Sequence, residues 1–401
     1  MPEAPSATFT ALTSGNGVSL MSANPGPDLG AHGYDETELR AAGTASSYAE
    51  PATAPYATRV VVRRPTAGFS GTLVTEWLNV SSGSDAAPDW TYLAEEIVRR
   101  GHAWAGVSAQ RTGVEGGAAR VATGLGPGGL KVQDPQRYGD LTHPGDRYSF
   151  DIFTQVARGL AAEVGADCVL AIGESQSAAA LTTYLNVLGA SLFDGFLVHS
   201  RPGGALHTDE PTLVPDVGVP VIVVQTEGDL FGRLDFLPAR QPDAERFRLW
   251  EVAGAAHADL FQIGELESFL GCPDPVNRGQ QAYVVRAALR WLEGWARGGP
   301  AAPSAPRLTV TGDDFERDPH GNVLGGVRTP AVDAPADVLS GYAAPGASPI
   351  CALFGRTLAL AAPAYGSREE YLAAYTAATD AAIAAGFVLP EDRDAVLAEA
   401  R

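Results

Sequence analysis

The stretch that decides the fold is Val169–Leu181, VLAIGESQSAAAL. An apolar run ends at Gly173, Ser175 follows, and an Ala-rich segment begins at once. The pattern predicts a strand, a tight turn and a helix, with the Ser175 hydroxyl raised above the end of a sheet as in a nucleophile elbow. Such a turn is crowded, so its flanking positions must be small. Gly173 satisfies this, and Ser177 stands where the G-x-S-x-G form has its second glycine. The positive end of the helix behind the serine favours a developing oxyanion.

A serine hydroxyl is a weak nucleophile at neutral pH and needs a base. On a strand–helix scaffold of this kind the partners follow in the order serine, acid, histidine. His257, in VAGAAHAD, comes directly after an expected strand at 246–252. Of the seven histidines, only His199 and His257 closely follow a late core strand, and His199 precedes the expected acid. The acid should follow the strand expected at 219–225, where QTEGDL supplies Glu227 and Asp229. The spacing favours Asp229, with Glu227 as the alternative. Oxyanion donors are expected from the backbone N–H of Gln176 and from the loop Asn79–Val80–Ser81, with Val80 at its centre.

Working outward, strands are expected at 59–63, 71–78, 103–107, 167–172 and 195–198. Helices are expected at 88–100, 149–163, 177–188 and 279–297. This alternation predicts an α/β fold with a mostly parallel sheet covered on both faces. The first 55 residues read as loops and short edge strands, and 111–147 as a long Gly-rich loop. Residues 298–307 read as a linker. Ser367 and Glu370 form a capping-box pattern that opens a helix to about residue 385. The expected organisation is a core over 1–300 and an extension over 301–401 packed back upon it as one compact unit.

The chain has 401 residues, 45% of them hydrophobic, and a formal net charge of −19. An acidic surface repels phosphate backbones and anionic lipid, so no nucleic-acid or membrane partner is expected. No leader or bilayer-length apolar segment is read, which makes a cytoplasmic location the expectation. Three widely spaced cysteines, Cys168, Cys272 and Cys351, predict neither a disulfide framework nor a zinc site. The carboxylates at 313–318 lack calcium-loop spacing and read as a solvated acidic loop.

Several segments carry a resemblance beyond these rules: EWLNVSSG (76–83), DPQRYGDLTHPGDRYSFDIFTQ (134–155), IGESQSAAALTTYLN (172–186), VVQTEGD (223–229), WEVAGAAHAD (250–259) and GNVLGGVRTPAVDAP (321–335). The chain resembles the α/β-hydrolase superfamily, and within it the bacterial "alpha/beta hydrolase domain-containing" serine esterases without a large helical cap. That resemblance implies a Ser–acid–His hydrolase acting on an ester or related acyl bond of a small molecule, with no cofactor and no metal. Acyltransferase, lactonase, peptidase or lyase chemistry on the same residues, and a non-catalytic binding protein of this fold, stay open as alternatives. Residues placed by the pattern near the carboxyl edge of the sheet are candidate substrate contacts: Asn79, Tyr138, His143, Tyr148, His199 and Arg201. Arg328 is expected to pair across to the core, and Gly325 and Gly326 to allow a close backbone approach.

Overall fold

The computed structural model describes residues 5–17, 19–20, 22–119, 128–206 and 208–401. Two compact units divide the chain, the first comprising 1–196 with 214–220, the second 197–213 with 221–401.

The first unit is built on strands β1 (Thr8–Ala11), β2 (Tyr34–Ser46), β3 (Thr53–Pro65), β4 (Thr72–Trp77), β5 (Ala103–Val107) and β6 (Cys168–Glu174). They lie in the order β1-β2-β3-β5-β4-β6. β2 and β3 form an antiparallel ribbon in register from Tyr34↔Pro65 to Ser46↔Thr53. β4 runs parallel to both β5 and β6. All six residues of β4 and all seven of β6 are buried, as expected of parallel strands covered on both faces. The 13-residue β2 contradicts the expectation of loops and short strands before residue 55. Its sequence is polar and half-exposed along most of its length, so burial leaves no apolar period to read.

Helix Pro88–Arg99 shows how β4 fixes its neighbours. Pro88 opens it, and the buried Glu76 of β4 accepts the N–H groups of Asp89 (3.1 Å) and Trp90 (2.8 Å) and the Trp104 indole N–H (3.0 Å). A carboxylate placed there satisfies helix-terminal donors that would otherwise be orphaned. Helix Ser149–Val164 packs Phe153 against Trp77 (centroids 5.0 Å) and Phe193 (5.2 Å). Of the loop expected over 111–147, residues 120–127 lie outside the described residues. The remainder contains short helices at Arg111–Glu115, Leu130–Gln133 and Pro135–Tyr138.

β7 (Gly195–His199) crosses the division between the units. The second unit carries β8 (Val221–Thr226) and β9 (Phe247–Val252), which are parallel, and helix Gln281–Ala296. The chain beyond residue 300 extends the end of β9. Val327 N–H donates to Glu251 O (2.6 Å) and Ala253 N–H to Val327 O (3.0 Å). A Cβ on Gly326 would lie 2.5 Å from Glu251 O, and one on Gly325 2.3 Å from Arg307 O. Both glycines have φ of 70° or more, so the close approach expected there requires them. The stretch before Ser367 contains a short antiparallel pair, Asp337–Ser340 with Arg356–Ala359. Arg328 pairs with Asp318 and Asp333, so it ties the extension to itself rather than to the core. Ser367 caps helix Arg368–Ala384 by accepting Glu370 N–H at 3.1 Å.

Cys272 and Cys351 form a disulfide, which corrects the expectation of none. The two residues are 79 apart in sequence, and folding alone brings them together. Cys168 lies outside the bond and is buried, in keeping with its apolar surroundings.

Candidate active site

In the first unit, β6 ends at Glu174 and helix Gln176–Leu188 begins two residues later. Ser175 makes the turn with φ 61° and ψ −117°. A non-glycine residue in the left-handed region stores strain of order 1–3 kcal/mol, and such strain concentrates at functional sites. A Cβ on Gly173 would lie 3.1 Å from the carbonyl carbon and the Cβ of Ser177. The turn is therefore tight at 173, where a side chain would press on Ser177, and serine at 177 is still small enough to close it.

Gln176 is the first residue of the helix, so its N–H precedes the first intrahelical hydrogen bond. Its side chain donates to Gln110 Oε1 (2.7 Å), which also accepts the Trp77 indole N–H (3.1 Å). Asn79 clamps the neighbouring loop to the elbow. Its Nδ2 donates to Glu174 O (3.0 Å), and its Oδ1 accepts Ser81 N–H (2.8 Å). Val80 sits between these two anchors and is 7% exposed. Asn79, expected as a substrate contact, is thus engaged with the backbone on both sides.

In the second unit, His257 Nδ1 stands 2.7 Å from Asp229 Oδ1. Asp229 is fully buried, and its Oδ2 accepts the N–H of Thr226 (2.7 Å) in a capping box that closes the turn after β8. Glu227, the alternative acid, is directed elsewhere. Its carboxylate accepts the N–H of Gly254 and of Gly341 (3.0 Å), and its carbonyl accepts the Tyr342 hydroxyl (2.8 Å). Burial pushes the Glu227 carboxyl up to about 7, against the opposing pull of those N–H groups.

The loop bearing His257 is strapped from two sides. Gln281 Nε2 donates to Ala256 O (2.9 Å) and to Asp259 Oδ2 (2.9 Å). Ala258 N–H donates to Leu353 O (2.9 Å), two residues beyond the disulfide cysteine Cys351. Neither Gln281 nor Leu353 carries a local motif that would mark it in sequence.

The remaining candidates have varied placements. The Tyr138 hydroxyl donates to Glu38, and its ring packs with Val114, Leu130 and Leu141, which is core packing. The His143 ring meets Ala109 O (2.9 Å) and Gly145 N–H (3.2 Å), and burial lowers its pKa. Tyr148 is 7% exposed, with the Arg147 guanidinium 5.6 Å from its ring centroid. His199 is fully buried at the end of β7, before Ser200 with φ 50°. Arg201 donates to Thr212 O (2.7 Å) and lies over the Phe236 ring. The side chain of Gln225 holds its backbone on both sides (2.8 Å each). Burial without an opposing carboxylate brings the Arg201 guanidinium down to about 10. Among the described residues no cluster of histidine, cysteine and carboxylate side chains has metal-site geometry. None of their helices is long and apolar enough to cross a membrane.

A family model described as an alpha/beta hydrolase domain matches residues 3–398. Among solved structures, the chain is similar to the esterase domain of a Rhodothermus marinus protein. Identity is 12% and the TM-score 0.36, over 66% of this chain and 99% of that one. It is also similar to an a/b serine hydrolase without lid from Xanthomonas campestris. Here identity is 16% and the TM-score 0.35, over 66% of this chain and 97% of that one. A search of curated proteins returned no match. On the strength of the family match over nearly its whole length, the chain belongs to the alpha/beta hydrolase domain family and has its fold, a mostly parallel central sheet flanked by helices.

Proposed function

We propose that the chain is a serine hydrolase that cleaves small-molecule carboxylic esters through Ser175, His257 and Asp229. The observation that carries this reading is the 2.7 Å approach of His257 Nδ1 to the buried Asp229. In this reading Nδ1 donates to Asp229 and Nε2 keeps the lone pair, the tautomer a general base requires. The strained elbow at Ser175 supplies the matching nucleophile.

In this reading Ser175 Oγ attacks the ester carbonyl while His257 Nε2 takes its proton. Negative charge on the carbonyl oxygen is met by the N–H groups of Gln176 and Val80, aided by the N-terminus of helix Gln176–Leu188. Collapse expels the alcohol, which receives the proton from His257. Water then attacks the acyl group on Ser175, with His257 again as base, and the carboxylic acid leaves. Asp229 stabilises the imidazolium in both steps without itself taking the proton.

The test is hydrolysis of short-acyl nitrophenyl esters by the parent chain and by Ser175→Ala, together with labelling by a fluorophosphonate probe. Labelling at Ser175 and loss of turnover in the variant are expected. Undiminished turnover in the variant would overturn the reading, and an unlabelled Ser175 would favour a binding protein.

A further inference from the structure

The second unit contains a cavity of about 300 Å³, at the lower end of the range for small-molecule sites. Its walls come from Leu260 and Phe261, from the start of helix Gln281–Ala296, and from helix Arg368–Ala384. They are mostly apolar and aromatic, so what distinguishes a ligand is the hydrogen-bonding capacity the walls leave unspent.

Both lining carboxylates already hold donors. Glu399 takes the Tyr283 hydroxyl (2.6 Å) on one oxygen and Gln280 Nε2 (2.7 Å) on the other. Asp337 takes the Arg401 guanidinium (3.0 Å). Besides the rest of the Arg401 guanidinium, three side chains keep donors to spare. The Tyr375 hydroxyl accepts Gln280 Nε2 (2.8 Å), and its own proton has no acceptor among the described residues. The Tyr371 hydroxyl accepts the Arg401 backbone N–H (3.1 Å) and is in the same position. Arg278 acts on Asp337 through space but hydrogen-bonds to none of the described residues. A hydroxyl is both donor and acceptor, and a guanidinium is a planar fork of donors.

We propose that this cavity is a binding site for a small organic carboxylate with an aromatic or aliphatic body. The carboxylate lies against Arg278 and the hydroxyls of Tyr371 and Tyr375, and the body lies against Phe261 and the tyrosine rings. The guanidinium fork matches a carboxylate in shape and charge. A cationic ligand in that position is repelled by the Arg278 guanidinium, which lines the same cavity. The proposal stands independently of the role of Ser175.

Isothermal titration of the full chain with 3-phenylpropionate, its amide and phenethylamine tests it. Saturable binding of the carboxylate alone is expected, weakened about tenfold in Arg278→Gln and by a smaller factor in Tyr375→Phe. Arg278 makes no hydrogen bond to the described protein, so its variant should keep the parent melting temperature. Equal affinity of the parent and Arg278→Gln for 3-phenylpropionate would place binding elsewhere and overturn the proposal. So would equal or tighter binding of the amide or the amine, or no binding at millimolar concentration.

Discussion

Asp229 meets His257 with one carboxylate oxygen and the Thr226 N–H with the other, each at 2.7 Å. One side chain therefore closes its own turn and orients the imidazole. Asp229→Asn keeps the size and loses the acceptor pattern, so the histidine is released to the wrong tautomer. Turnover of a nitrophenyl ester should fall by ~10⁴ with little change in fold. Glu227→Gln should leave turnover within about tenfold of the parent, because Glu227 holds Gly254 and Gly341 rather than the imidazole. A larger loss at 227 than at 229 would reverse the assignment of the acid.

Asn79 offers a test of the proposed oxyanion role of its loop that leaves the backbone donors in place. Its side chain joins Glu174 O to Ser81 N–H across Val80. Asn79→Ala releases the loop and should lower kcat by ~10-fold or more while moving KM little, as for a transition-state contact. Asn79→Asp retains the acceptor for Ser81 but sets a carboxylate oxygen against Glu174 O, and should lower kcat at least as far. A change in KM alone would make Asn79 a substrate contact instead.

Glu227 gives a pH dependence whose sign is fixed by its environment. Burial raises its carboxyl to about 7 in the folded chain, above the ordinary value in the unfolded one. The folded state therefore holds its proton longer, and this group's contribution to stability falls as pH climbs between about 4.5 and 7. The loss is on the order of 3 kcal/mol when complete. Urea unfolding at pH 5 and pH 8 should show a larger decline for the parent than for Glu227→Gln. Parallel pH profiles would refute the shift.

The Cys272–Cys351 bond closes a 79-residue span. Chain-entropy arguments assign such a closure ~4–5 kcal/mol. Paired Cys272→Ala and Cys351→Ala replacement should lower the urea midpoint accordingly, and a reductant should do the same to the parent alone. Because Ala258 N–H is held by Leu353 O, the same treatment should also reduce turnover of the nitrophenyl ester on the proposed reading.

What was legible in the sequence had local chemistry behind it. The elbow could be read because Gly173 and Ser175 sit between an apolar run and an Ala-rich helix, and the Asp229 pairing followed from chain order and spacing. The β2–β3 ribbon was not legible, since Tyr34–Ser46 carries few β-branched residues and owes its conformation to the partner strand. Tyr138 looked like a pocket residue because its acceptor, Glu38, lies 100 positions away. Arg328 looked free to reach the core, yet Asp318 and Asp333 are close in sequence and claim it first.

The disulfide also changes what kind of object the C-terminal segment is. Residues 298–307, Pro-rich and largely exposed, lie inside the ring that Cys272 and Cys351 close. A protease that nicks this linker separates no fragments: the two pieces migrate as one on a non-reducing gel and as two after reduction. The extension as far as Cys351 is thus covalently a loop rather than a tail, and a cut chain keeps Leu353 tied to the histidine segment wherever the disulfide stays oxidised.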